Sequence, residues 1–374
     1  MIYLCYSDKF QAYNFGPEHP FNPIRLALAY KLMEEQGSLD DLVCRIDPVQ
    51  AEEEDLQRVH DIGYIASVRA EEPDLAFGLG SDDTPVFPGI YEASCLWAGG
   101  SMECARRICQ EGGMAFNLGG GLHHAMPSQA SGFCVFDDPA LAISVLKDRF
   151  ERILYVDIDA HHGDGVQQIF YEDPDVLTVS LHESGLYLFP GTGFVDEIGA
   201  GPGLGHSINV PMPMYAGDLE YRRAFQEIVP PLFEWFQPQA VVAQLGVDTH
   251  YSDPLTTLNL TLNGYTYLVQ SIIDLAKKHS DGRLLALGGG GGYNLEVVPV
   301  AWASVLHLMR GEGMPEYLSP YWVEFFINLV GREPLSPPDI EINVGEQTRI
   351  RITAELERTL QALKEKVNGI YKVF

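Results

Sequence analysis

Asp157, Asp159, His161, His162 and Asp164 fall within one stretch, "DIDAHHGDG", directly after the apolar run "RILYV". Side chains at i and i+2 of a strand point to the same side. If the strand persists, Asp157, Asp159 and His161 face one way. Two carboxylates on one face repel unless a cation or hydrogen-bond donors offset them. One imidazole with carboxylates is a reasonable donor set for a divalent metal. The plainer alternative is a capped strand end whose acids bind loop amides. A further ligand comes from "QLGVDTH", which sets Asp248 after another apolar run. An aspartate there is, by itself, more commonly an N-cap or Asx-turn residue. Beside Asp159 and His161 it completes an Asp/His/Asp set with positions open for water and substrate, as catalytic zinc requires.

The tandem histidines of "GGGLHHAMPSQASGF", His123 and His124, follow a glycine-rich turn. Isolated histidines are more often structural than catalytic. An adjacent pair at a strand end can accept a proton from a metal-activated water and return one to a leaving amine near neutral pH. Each ring then needs an acceptor for its other nitrogen, and Asp157 and Asp164 are available. "LGGGGGYN" ends in Tyr293, which could donate to a developing oxyanion, although a packing role is the commoner one for a lone tyrosine. The glycine run is not GxGxxG and no P-loop lysine follows, which excludes nucleotide binding.

The elements that position these groups share one pattern. Short apolar runs end in Gly, His or Asp: "MAFNLGGGLHH", "RILYVDIDAHH", "VLTVSLHESG", "AVVAQLGVDTH" and "RLLALGGGGGY". Near-continuous apolar runs mark strands covered on both faces. Helical segments such as "DPALAISVLKDRF" and "YTYLVQSIIDLAKKH" lie between them. The alternation predicts an α/β chain, a parallel sheet with helices on both faces, with ligands at the carboxyl ends of the strands. The C-terminal part (about residues 312–374) differs. A Pro-containing connection, Glu333–Gln347, leads to Leu356, Leu360, Leu363, Val367 and Ile370 at spacings of four and three, an amphipathic helix. That helix is expected to pack on the body; an oligomer seam is the second reading.

The chain has 374 residues, 46% of them hydrophobic, enough for a substantial core, and a formal net charge of −28. Such a charge repels phosphate backbones and anionic membranes. It suits a cationic ligand, or simply solubility. The six cysteines form no CxxC pair, which fits reduced thiols in a cytoplasm. The opening "MIYLCYSDKF" is too short an apolar run for a signal peptide, and no segment reaches the ~18 apolar residues of a membrane span.

Taken together the chain resembles the histone deacetylase superfamily, with its arginase/deacetylase fold, and within it the bacterial acetoin-utilisation-type deacetylases. The stretches that carry the resemblance are "GGGLHHAMPSQASGFCVFDDPALAI", "LYVDIDAHHGDGVQQIFY", "TVSLHESGLYLFPGTGFVDEIGAG", "QLGVDTHYSDPLTTLNLT" and "LGGGGGYN", and it spans about residues 1–310. The resemblance implies one catalytic domain with a sheet of about eight strands. It makes Asp159, His161 and Asp248 the ligands of one zinc (or ferrous iron), and pairs His123 with Asp157 and His124 with Asp164. His124 is then the general base and Tyr293 the oxyanion donor. Phe133 and Phe189 become walls of a channel for an acyl-lysine side chain, with Gly132 and Gly291 beside it, Asp83 as the rim acid and Leu255 at the rim. Structural potassium is implied at Asp157, Asp159, His161, Ser180 and Leu181, and at the backbone carbonyls of Phe170, Asp173, Val176 and His206.

Some positions depart from the family pattern. Five glycines precede Tyr293 where four are usual, so its loop is expected to shift, and Thr249–Tyr251 is bulky enough to narrow the mouth. His206 stands where an aromatic residue is common. The two-manganese hydrolases of the same fold need extra acids, yet Gly163 and His250 occupy those places, so one catalytic metal is expected. The implied activity is hydrolysis of acetyl-lysine in proteins or peptides. Deacetylation of acetylated polyamines is the runner-up, and a metal-containing acyl-lysine binding protein with weak catalysis is the reading from another class.

Overall fold

A computed structural model of the chain describes residues 1–313, 318–335 and 342–374. Eight strands form one sheet: β1 (Ile2–Cys5), β2 (Val43–Ile46), β3 (Met114–Asn117), β4 (Ile153–Asp157), β5 (Val176–Glu183), β6 (Ser207–Met212), β7 (Ala240–Gln244) and β8 (Leu284–Leu287). Their order is β2-β1-β3-β8-β7-β4-β5-β6, and every pairing is parallel. All residues of β4, β5, β7 and β8 are buried, which explains why β4, β7 and β8 read as near-continuous apolar stretches.

Five of the strands are those marked out by sequence. Three others carry weaker signals: β1 is four residues long, β2 has the burial pattern buried-exposed-exposed-buried, and β6 contains Pro211, which is compatible with its place at the sheet edge. Between strands run helices that start and stop where side-chain chemistry dictates. Helix Asp138–Lys147 is N-capped by Asp137, whose carboxylate accepts from the Ala140 amide at 2.7 Å. Helix Leu262–His279 is capped by Thr261, accepting from the Gly264 amide at 3.1 Å. Helix Val297–Arg310 ends on Gly311 in the left-handed conformation, φ 78°.

The C-terminal helix covers Glu346–Ile370. Leu356, Leu360, Leu363 and Val367 are buried, along with Ile352, and the helix packs against β6 and the helix Asp218–Phe236. The stripe is thus occupied within the chain and is not free for a second copy; Ile370, at its end, is 37% exposed. Part of the connection before it, residues 336–341, lies outside the described residues. Among the described residues no helix is long and apolar enough to cross a membrane.

Candidate metal centre and catalytic pocket

Strands β3, β8, β7, β4 and β5 are consecutive in the sheet. The loops leaving their carboxyl ends therefore open side by side, and residues far apart in sequence meet there. The loop after β4 brings Asp159 and His161, and the loop after β7 brings Asp248. His161 Nδ1 lies 2.8 Å from Asp248 Oδ2 and 3.3 Å from Asp159 Oδ1, and one ligand atom from each of the three lies within 4.8 Å of the others. Donor atoms bound at ~2.0–2.2 Å around a tetrahedral ion sit at about this spacing. Asp159 and Asp248 are fully buried. Burial, then the charge of Asp159, pushes Asp248 above the usual carboxylate range, the mark of a carboxylate pair short of positive charge. Burial by itself would lower His161, but the two acids outweigh it and raise it well above the usual histidine range. Donor chemistry and charge both fit a divalent cation.

The carboxylates are held from behind. Asp159 Oδ2 accepts from Gln244 Nε2 and from the Gly291 amide, each at 2.8 Å. Asp248 Oδ1 accepts from the Ala160 amide at 2.7 Å. A Cβ on Gly291 would lie 2.0 Å from Asp248 Oδ2, so no larger residue fits beneath the pair.

The loop after β3 supplies the histidine pair. His123 Nδ1 donates to Asp157 Oδ2 and His124 Nδ1 to Asp164 Oδ1, both at 2.7 Å. These bonds leave each Nε2 for the pocket. The two rings differ in charge. Burial alone would lower His123, but Asp157 and Asp159 lift it to about 9. Burial, and then the neighbouring His123, lower His124 below its ordinary value. The surroundings thus push the two rings in opposite directions, His123 toward the charged form and His124 toward the neutral base.

A narrow cavity is lined by His123, His124, Asp159, His161, Gly291 and Tyr293, with Phe21, Gly132 and Cys134 among its other walls. The five-glycine run therefore still delivers Tyr293 to the pocket. The Tyr293 amide donates to Asp253 Oδ2 at 2.8 Å, and burial raises its phenol well above its ordinary pKa, so it stays a donor. Gly132 takes φ 55° directly against the His124 ring. Further out, Phe189 lies 5.2 Å from His124 between ring centroids, and Phe133 lies 6.0 Å from Tyr293. Asp83 Oδ2 accepts from the Gly132 amide at 2.7 Å, which ties Asp83 to the loop that carries Phe133. Leu255 is 37% exposed.

Thr249 and His250 are buried, Tyr251 is half-buried, and none of the three lines the inner cavity. The residues with implied potassium roles fall into two places. Asp157 and Ser180 are partners across β4 and β5. Phe170, Asp173, Val176 and His206 lie near the start of β5, where the His206 carbonyl accepts from the Thr178 amide at 2.9 Å.

A family model for the histone deacetylase domain matches residues 19–309. The chain belongs to that family. Among curated histone deacetylase relatives, the acetoin utilization protein AcuC of Bacillus subtilis (strain 168) is 41% identical over 330 residues, covering 86% of this chain and 85% of that protein. AcuC of Staphylococcus aureus (strain MRSA252) is 37% identical over 380 residues, covering 98% and 96%. The crystal structure of a histone deacetylase homologue from Aquifex aeolicus superposes with a TM-score of 0.83 at 30% identity, covering 96% of this chain and 99% of that one. A homologue structure complexed with SAHA superposes equally well.

Several residues that build this pocket are not among the candidate site residues of the sequence. Arg25 is fully buried and donates to the carbonyls of Gly289, Gly290 and Gly292, each at 2.7 Å. Tyr155 donates to Asp157 Oδ2 at 2.6 Å. Gln244, Asp253 and Phe21 were likewise given no role there, although Gln244 and Asp253 lie within "QLGVDTHYSDPLTTLNLT". The available signal was a polar residue inside an otherwise apolar element: Arg25 in "IRLALAY", Gln244 closing "AVVAQ".

Proposed function

We propose that the protein is a metal-dependent amidohydrolase that removes acetyl or other short acyl groups from lysine side chains of proteins or peptides. The observation that carries the reading is that Asp159, His161 and Asp248 converge, and that Asp159 and His161 line a narrow cavity together with His123, His124 and Tyr293. A divalent cation held by Asp159, His161 and Asp248, zinc or ferrous iron, would lower the pKa of a water and polarise the acyl carbonyl. His124, neutral and oriented by Asp164, takes the proton of the attacking water at Nε2 and returns it to the leaving amine. His123, positively charged against Asp157, stabilises the negative charge that builds up beside it. Tyr293 donates a hydrogen bond from its hydroxyl to the acyl oxygen as charge develops there. Phe133 and Phe189 flank the acyl chain and keep water from it, while Asp83 holds the substrate backbone at the rim. Potassium is proposed at Asp157, Asp159, His161, Ser180 and Leu181, and at the carbonyls of Phe170, Asp173, Val176 and His206.

The net charge of −28 favours a cationic product, whether lysine or a polyamine. The test compares kcat/KM of the metal-reconstituted and chelator-treated protein on acetyl-lysine peptides and on acetylated putrescine. The proposal expects metal-dependent turnover with the peptide preferred. Strong preference for acetylated putrescine moves the substrate to polyamines. Tight ligand binding without hydrolysis of any substrate makes the protein a binding module.

A further inference from the structure

Phe189 is carried by the loop from β5 to β6, and buried polar groups that touch none of the proposed reacting atoms hold that loop from inside. His182, in β5, is fully buried. Its Nε2–H donates to the Gly193 carbonyl at 2.9 Å, and its Nδ1 accepts from the Ser180 hydroxyl at 2.7 Å. One donating and one accepting nitrogen define a neutral ring of fixed tautomer. Burial, and then His162, keep its pKa well below the ordinary value. Gly193 takes φ 83°, and a Cβ there would lie 2.3 Å from His182 Nε2, so the loop backbone rests directly on the imidazole.

The neighbouring groups close the same loop. The His162 ring lies 4.7 Å from that of His182, and its Nδ1 is 2.9 Å from the Thr192 hydroxyl. Glu197 accepts from the amides of Gly193 and Phe194 at 3.0 and 3.1 Å. On the other limb, a Cβ at Gly185 would lie 2.6 Å from the Thr192 carbonyl, so the two limbs are in backbone contact. Between these anchors the chain presents Phe189, with its ring 5.2 Å from His124 and 6.4 Å from His161.

We propose that His182 is a positioning residue for the acyl channel: through Gly193 it sets how closely Phe189 approaches the His124–His161 face. The inference rests on reading the cavity as an acyl-lysine site. The effect belongs on substrate binding and acyl preference, because His182 reaches the site only through the wall loop.

The test is a double-mutant cycle in the metal-loaded enzyme with an acetyl-lysine peptide. His182→Leu removes the bond to Gly193 and is expected to raise KM about fivefold, the usual worth of one buried hydrogen bond, with kcat within about twofold and metal content unchanged. His182→Gln, which returns a donor near the position of Nε2, recovers most of the KM. Phe189→Ala raises KM by itself, and adding His182→Leu raises it no further. If the leucine variant does not fold, His182→Asn carries the same cycle, since it can still pair with Ser180 but is too short for Gly193. Unchanged KM in the His182 variants, or additive effects with Phe189→Ala, overturns the inference. Absence of turnover in the unsubstituted enzyme overturns the acyl-lysine reading and this inference with it; turnover with KM indifferent to His182 overturns the inference only.

Discussion

The Arg25 guanidinium donates to the Gly290 carbonyl at 2.7 Å across 265 positions of sequence. With Gly289 and Gly292 held the same way, one side chain fixes the turn that ends in Tyr293. Burial lowers its pKa to about 10, so it remains charged at neutral pH. Arg25→Met leaves three buried carbonyls short of a donor and is expected to cost about 3–5 kcal/mol in urea unfolding, with reduced turnover. Arg25→Lys should recover only part of both, because an ammonium cannot span the fork. Full stability in Arg25→Met would show that the turn holds itself.

Gly291→Ala tests the packing under the metal centre. The new methyl would sit 2.0 Å from Asp248 Oδ2 and 2.6 Å from Asp159 Oδ2, so the carboxylates must move apart. The expected outcome is a metal affinity lower by about 10- to 100-fold, read by competition with a chelating dye, in a protein that still folds. Wild-type affinity would mean that the acids do not hold the metal in this arrangement.

Tyr293→Phe removes the hydroxyl and little else. Turnover is expected to fall ~100- to 1,000-fold, while metal content by elemental analysis stays near one equivalent. Unchanged turnover would take Tyr293 out of the mechanism.

His60 gives the fold a pH dependence outside the pocket. Its Nδ1–H donates to the Met126 carbonyl at 3.0 Å and its Nε2 accepts from the Asp137 amide at 2.9 Å, so the ring is neutral. Burial lowers its pKa from 6.5 to about 4. Between those values the unfolded chain binds the proton and the folded chain does not. Stability from this group is therefore complete above about pH 6.5 and falls as pH drops toward 4, by up to about 3 kcal/mol. Urea midpoints between pH 7.5 and 4.5 should show the decline, and His60→Gln should flatten it. An equal slope in the variant would assign the acid sensitivity elsewhere.

The parts legible in sequence are those where one short segment carries both strand and chemistry. "RILYVDIDAHH" announces a buried strand by its apolar run and a polar rim by the acids after it, and β4 with Asp159 and His161 follows that division. Asp248 was readable as a partner only because the same pattern recurs in "AVVAQLGVDTH". Gly291 was expected beside the channel; its amide in fact also supports Asp159, a role that depends on β8 lying next to β7. Strand order is a long-range property, so local periodicity could not supply it. Arg25 was missed for the same reason: its partners are backbone carbonyls, which leave no trace in residue identity.

The C-terminal helix lies along β6, the last strand of the sheet, with its leucines buried and its polar side tied down by the pairs Arg223–Glu357 and Lys364–Glu227. None of its residues lines the catalytic cavity. Deleting residues 346–374 would thus leave the chemistry whole and strip a greasy seam and a strand margin bare at once. Such a shortened chain is expected to fail colloidally, clouding in a light-scattering cell while whatever stays dispersed still turns over substrate.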